Sequence, residues 1–89
     1  MENKKPKQIL VISQFNKDEG LRMANGLTLL DDKVRIAVIG DLERNENVDI
    51  QLEAIEFGET PLQYINSDKD SDLNNLTDEI QNADVVYIL

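Results

Sequence analysis

Cysteine and histidine are both missing from this chain. Without cysteine there are no disulfides, no thiolate metal sites, no cysteine nucleophile and no persulfide carried on the chain itself. Without histidine the commonest general base and the commonest metal ligand are gone. Tryptophan is absent too, and two tyrosines and two phenylalanines make poor material for base-stacking platforms. Positive charge is scarce: 9 basic residues stand against 18 acidic ones, for a net charge of −9. Such a surface repels phosphate backbones and anionic lipid, so neither nucleic acid nor membrane is an expected partner.

Long apolar runs are lacking as well. The longest are Ile9–Ile12 and Val85–Leu89, far short of the roughly 20 residues of a membrane-spanning helix. The N-terminal MENKKPKQ is basic but is not followed by the apolar stretch of a signal peptide. A cytoplasmic location is expected. The 89 residues make one domain, and a chain of this size buries only about 60–65% of its unfolded surface.

Charge is unevenly spread. Lys4, Lys5 and Lys7 fall in the first seven residues, which predicts a basic, flexible tail ahead of the first strand. Beyond it, apolar segments alternate with helical patterns. Gln8–Ser13 (QILVIS) has the near-continuous apolar character of a strand buried on both faces. Asn16, with Glu19 three residues on, predicts the start of a helix through a capping-box variant. That helix is expected from about Lys17 to Leu30, with Leu21, Met23, Ala24, Leu27 and Leu30 as its apolar stripe. Gly26 within it suits either close packing of helix on sheet or an Asn-Gly hairpin, and the flanking period favours the helix. Lys33–Ile39 (KVRIAVI) reads as the second strand.

Val48–Phe57 fits two patterns. Val48, Ile50, Leu52 and Ala54 alternate as in a strand, whereas Val48, Leu52 and Ile55 share one helical face. Asn47 as N-cap and Gly58 as C′ residue favour a helix. Leu62–Ile65 is a short strand, Asp72–Asn82 a helix with Leu73, Leu76 and Ile80 on one face, and Ala83–Leu89 a last strand. The resulting β-α-β-α-β-α-β order predicts a three-layer α/β sandwich around a four-stranded parallel sheet. The expected strand order is 2-1-3-4, with the first helix on one face and the other two opposite. One face is then under-covered, and self-association is the simplest way to cover it.

In that order the ligand crevice lies beyond the carboxyl ends of the first and third strands. Ser13, Gln14, Asn16, Asn66, Ser67 and Asp41 are its candidate lining. Ser13–Gly20 (SQFNKDEG) contains no G-x-G and no G-K-S/T, so neither a flavin nor a nucleotide cradle, nor any other cofactor, is expected. Asp68, Asp70, Asp72 and Glu79 match positions 1, 3, 5 and 12 of an EF-hand loop, but Leu73 replaces its obligatory glycine. Helix capping and solvation account for these acids, and no metal is expected. A catalyst would have to use Ser13, Ser67 or a carboxylate without histidine help, so the residues lean away from an enzyme.

The stretch Gly20–Asp41, GLRMANGLTLLDDKVRIAVIGD, resembles the first helix and second strand of the DsrE/DsrF-like superfamily. The shared elements are an L-R-x-A helix, a G-L-T-L continuation, an acidic turn and a strand ending in G-D. The resemblance implies a flavodoxin-like domain forming dimers, trimers or hexamers, and a place in intracellular sulfur relay. The sulfur-carrying cysteine of such proteins falls at about Ile65–Ser67, where this chain has Asn66. The resemblance therefore implies a non-catalytic subunit, either a homo-oligomer or the partner of a cysteine-bearing paralogue. The alternative is a domain binding a small ligand or anion in the strand-end crevice.

Overall fold

The computed structural model describes residues 6–89. Lys4 and Lys5, most of the expected tail, lie outside the described residues. Lys7 is anchored: its N–H donates to Asp32 Oδ1 at 2.9 Å and its carbonyl accepts from the Lys33 N–H at 2.9 Å. The elements are β1 (Gln8–Ser13), α1 (Lys17–Leu27), β2 (Lys33–Ile39), α2 (Glu46–Phe57), β3 (Leu62–Ile65), α3 (Asp70–Asn82) and β4 (Val85–Ile88). Among the described residues no helix is long and apolar enough to cross a membrane.

All strand pairs are parallel, and the order is β3-β2-β1-β4. The expected 2-1-3-4 order is therefore wrong. Strand length and burial explain the difference. β1 and β2, the two longest strands, bury residues on both faces and take the centre, while β3 and β4 have four residues each and take the edges. Pro61 immediately before β3 also suits an edge. The expected order would have put the short β3 inside and the long β2 outside.

The helices redistribute accordingly. Two successive right-handed crossovers in the same direction put α1 and α2 on one face, and the return from β3 to β4 puts α3 on the other. The α1/α2 side holds the larger core: Ile9, Val11, Leu21, Ala24, Val34, Ile36, Val38, Val48 and Ile55. The α3 side holds Leu10, Ile12, Ala37 and Ile65, with Leu76 and Ala83 partly buried against them. α3 has no fully buried residue.

Val48 and Ile55 are buried while Ile50 is 52% exposed, which is the spacing of a helix face and not of a strand. Asn45, not Asn47, caps α2, accepting the Val48 N–H at 2.9 Å. Gly58 has an ordinary helical φ of −80°, and Glu59 takes the left-handed position at φ 55°. The Glu59 N–H donates to the Glu56 carbonyl at 3.1 Å and the Thr60 N–H to the Ile55 carbonyl at 3.0 Å, the bond pair of a Schellman motif. α1 stops at Leu27, short of Leu30, which is 60% exposed. Thr28 Oγ1 donates to the Asn25 carbonyl at 2.6 Å at that end, and the Leu29 and Leu30 N–H groups turn back to Gly26 and Leu27. Glu19 pairs with Arg22 at 2.9 Å and Asn16 makes no side-chain capping bond, so the expected capping box does not form.

Candidate functional site

Strand order fixes where the carboxyl-end crevices lie. Reversal of direction now falls between β1 and β4, not between β1 and β3. At that point the backbone of Leu89 fills the gap: its carbonyl accepts from the N–H groups of Gln14 at 2.7 Å and Phe15 at 2.8 Å, and its N–H donates to Ile12. With β2 standing between β1 and β3, the six candidate residues cannot converge on one site.

They separate into three places. Ser13 is fully buried and faces α1, on the same side of β1 as Ile9 and Val11. Its Oγ is, among the described residues, a buried side-chain oxygen with no hydrogen-bond partner. Gly20 lies directly over it: a Cβ on Gly20 would overlap Ser13 Oγ and sit 2.9 Å from Ser13 Cβ. Ser13 is thus a packing residue and lines no crevice. Sequence reasoning missed Gly20 and chose Gly26 as the close-packing glycine, yet nothing lies within 4 Å of a Cβ placed on Gly26. The available signal was the period-2 pattern of β1, which puts Ser13 on the inward face.

Gln14, Asn16 and Asp41 border a hollow of about 310 Å³ between the β1–α1 and β2–α2 loops, together with Lys17, Asp18 and Glu43. Lys17 Nζ donates to the Asp41 carbonyl at 2.6 Å, tying the two loops. Lys17 is therefore a latch between them.

Asp41, Asn66 and Ser67 border a larger open groove of about 800 Å³ between the ends of β2 and β3, with Gly40, Arg44, Tyr64, Asp68 and Asp72 among its walls. Gly40, at φ 77°, turns the chain out of β2 while its N–H donates to the Ile65 carbonyl at 2.8 Å. Asn66 is held twice: its N–H donates to Asp72 Oδ2 at 2.8 Å, and its Oδ1 accepts the Asp68 N–H at 2.9 Å. Arg44, the one cation on the wall among the described residues, pairs with Asp49 at 2.6 Å. Asp41, Asp68 and Asp72 then set the local field, which opposes an anionic ligand.

Among the described residues no group of three or more acidic side chains is placed to hold a metal ion. Glu79, the last of the EF-hand-like positions, pairs with Arg35 at 2.6 Å across the sheet, so it is committed to holding α3 down. No protein-family model, no curated protein and no solved structure matches this chain.

Proposed function

We propose that the chain is a non-catalytic α/β subunit that works in the cytoplasm through contacts with other protein chains. The observation that carries this reading is the incomplete cover of the sheet. A helix is about 10–12 Å across, and strands are spaced about 4.7–4.9 Å apart. α1 and α2 side by side therefore span four strands, whereas α3 alone spans about half of them. The remaining apolar surface includes Val86 and Ile88 on the α3 side, 36% and 59% exposed. The DsrE/DsrF-like resemblance of Gly20–Asp41 fits the same reading. In a sulfur relay this chain would assemble with the sulfur carrier, because the thiol must come from another polypeptide. Light-scattering mass after size exclusion, at low and high salt, tests the proposal. A mass of at least twice 10.1 kDa that survives high salt is the expected result; a monomer under all conditions would remove its basis.

The groove between β2 and β3 favours a second reading, a small polar ligand held beside Tyr64, Asn66 and Ser67. Of the small ligand or anion that the sequence left open, its acidic walls favour a neutral or cationic small ligand.

A further inference from the structure

We infer that the partner at the uncovered surface is a second copy of this chain, joined to the first by antiparallel pairing of β4 with β4. This rests on the assembly reading above and names its contact. Among the described residues β4 is an edge strand, hydrogen-bonded to β1 on one side only. An edge strand presents a row of backbone groups ready to pair with another chain, and proteins that must stay apart blunt such edges with lysine, proline or a bulge. β4 reads VVYI, with neither charge nor proline. In a chain of net charge −9, this neutral strip lets two copies approach without placing carboxylate against carboxylate.

The surface has the size that a small dimer needs. Phe15, whose N–H is bonded to Leu89 at the end of β4, is 82% exposed, and Val86, Tyr87 and Ile88 are 36%, 37% and 59% exposed. With about 200 Å² for a full aromatic side chain and somewhat less for an aliphatic one, these four expose roughly 400 Å² per copy. Two copies bring at most roughly 800 Å² of apolar surface to the seam, and at about 60% apolar content a contact that covered all of it would come to about 1,300 Å², against the roughly 1,000 Å² expected of a specific contact. Antiparallel pairing of identical strands is two-fold and closed, so it gives a dimer and not a fibre. It also turns two four-stranded sheets into one continuous sheet. Val85 and Tyr87 then lie on the α1/α2 side and Val86 and Ile88 on the α3 side of both copies.

The test uses the 89-residue chain and single variants of it. Val86→Lys and Ile88→Lys place like charges across the pairing, which is unfavourable between facing strands, while moving the net charge of −9 towards zero. Non-specific association would strengthen under that change, so weakening identifies the edge. Each substitution also withdraws an apolar side chain from the seam in both copies, so dimerisation is expected to weaken by about tenfold or more in both, with far-UV circular dichroism unchanged. Tyr64→Lys on the opposite edge leaves it intact. Because the chain has no cysteine, Val86→Cys, Tyr87→Cys and Ile88→Cys report pairing directly. At least one cross-links to its own mate under mild copper–phenanthroline oxidation, and Tyr64→Cys does not. An assembly that survives both lysine variants and gives no cross-link along β4 overturns this inference and leaves the assembly reading standing. A wild-type chain that stays monomeric at every concentration overturns both.

Discussion

Gly20 packs directly on Ser13 of β1, and replacing it with alanine gives a prediction with an internal control. The same helix carries Gly26, where a Cβ meets nothing within 4 Å. Gly26→Ala gains the helix preference of alanine over glycine, about 0.8–1.0 kcal/mol. Gly20→Ala gains the same preference, but its methyl group falls on Ser13 Oγ, 2.9 Å from Ser13 Cβ and 3.3 Å from Ser13 Cα. The hydroxyl can rotate away; the Cβ and the backbone of a strand pinned on both sides cannot. Overpacking of this kind costs about 1–3 kcal/mol, so the two variants should move in opposite directions or differ by that amount. In a domain of this size about 1 kcal/mol corresponds to roughly 4–8 °C in Tm. Urea titration followed by far-UV circular dichroism measures both variants against wild type, and unchanged m-values keep the comparison valid. Adding Ser13→Ala to Gly20→Ala removes the overlapped oxygen, which has no hydrogen bond to lose. The double variant should therefore recover part of the loss, with a coupling of about 0.5 kcal/mol or more. If Gly20→Ala stabilises as much as Gly26→Ala, α1 does not sit on β1 as described, and the assignment of Ser13 to the core falls with it.

Glu59 occupies a left-handed conformation at φ 55° with glycine one residue too early, at position 58. Glu59→Gly removes a steric penalty of about 1 kcal/mol and should raise the unfolding free energy by about 0.5 kcal/mol or more after the added flexibility of the unfolded chain is counted; a destabilised variant in the same urea titration would show that the Schellman turn is misassigned. For the groove between β2 and β3, thermal shift with sulfate, phosphate and nucleotides should show no stabilisation beyond the matching salt control. A ligand present at about 100 times its Kd would add about 2.7 kcal/mol, so a clear shift with any anion would refute the electrostatic reading of Asp41, Asp68 and Asp72.

Element type and sequence order were legible because they depend on local pattern. The apolar run of Ile9–Ile12, the 3.6-residue spacing of Val48 and Ile55 and the short apolar run at Val85 each reflect what one segment buries. Strand neighbours depend on something else, the competition among segments for the centre of the sheet, and a period within one strand does not record it. The clue that existed was comparative: KVRIAVI is longer and more continuously apolar than LQYI. The site suffered from the same gap. Gln14, Asn16, Asp41, Asn66 and Ser67 do lie at carboxyl ends of strands, but with β2 between β1 and β3 they border separate hollows. Hydrogen-bond partners were less legible still, since Lys17 with Asp41 and Arg35 with Glu79 join residues 24 and 44 positions apart.

The uncovered surface is itself a consequence of topology. With β3 and β4 at opposite edges, the connection carrying α3 must return across three inter-strand spacings, about 14 Å. A single helix making that crossing lies over the middle of the sheet, and it is fastened there: Leu76 packs beside Leu10, Ile12, Ala37 and Ile65, and Glu79 binds Arg35 of β2. Fastened to the central strands, α3 cannot also shield β4, which leaves Val86 and Ile88 open on that side. In the 2-1-3-4 order, β3 and β4 would be neighbours, and α3 would lie directly over the strand it precedes. The strand order that splits the candidate crevice is therefore also the one that exposes β4, and both follow from β2 outcompeting β3 for the interior.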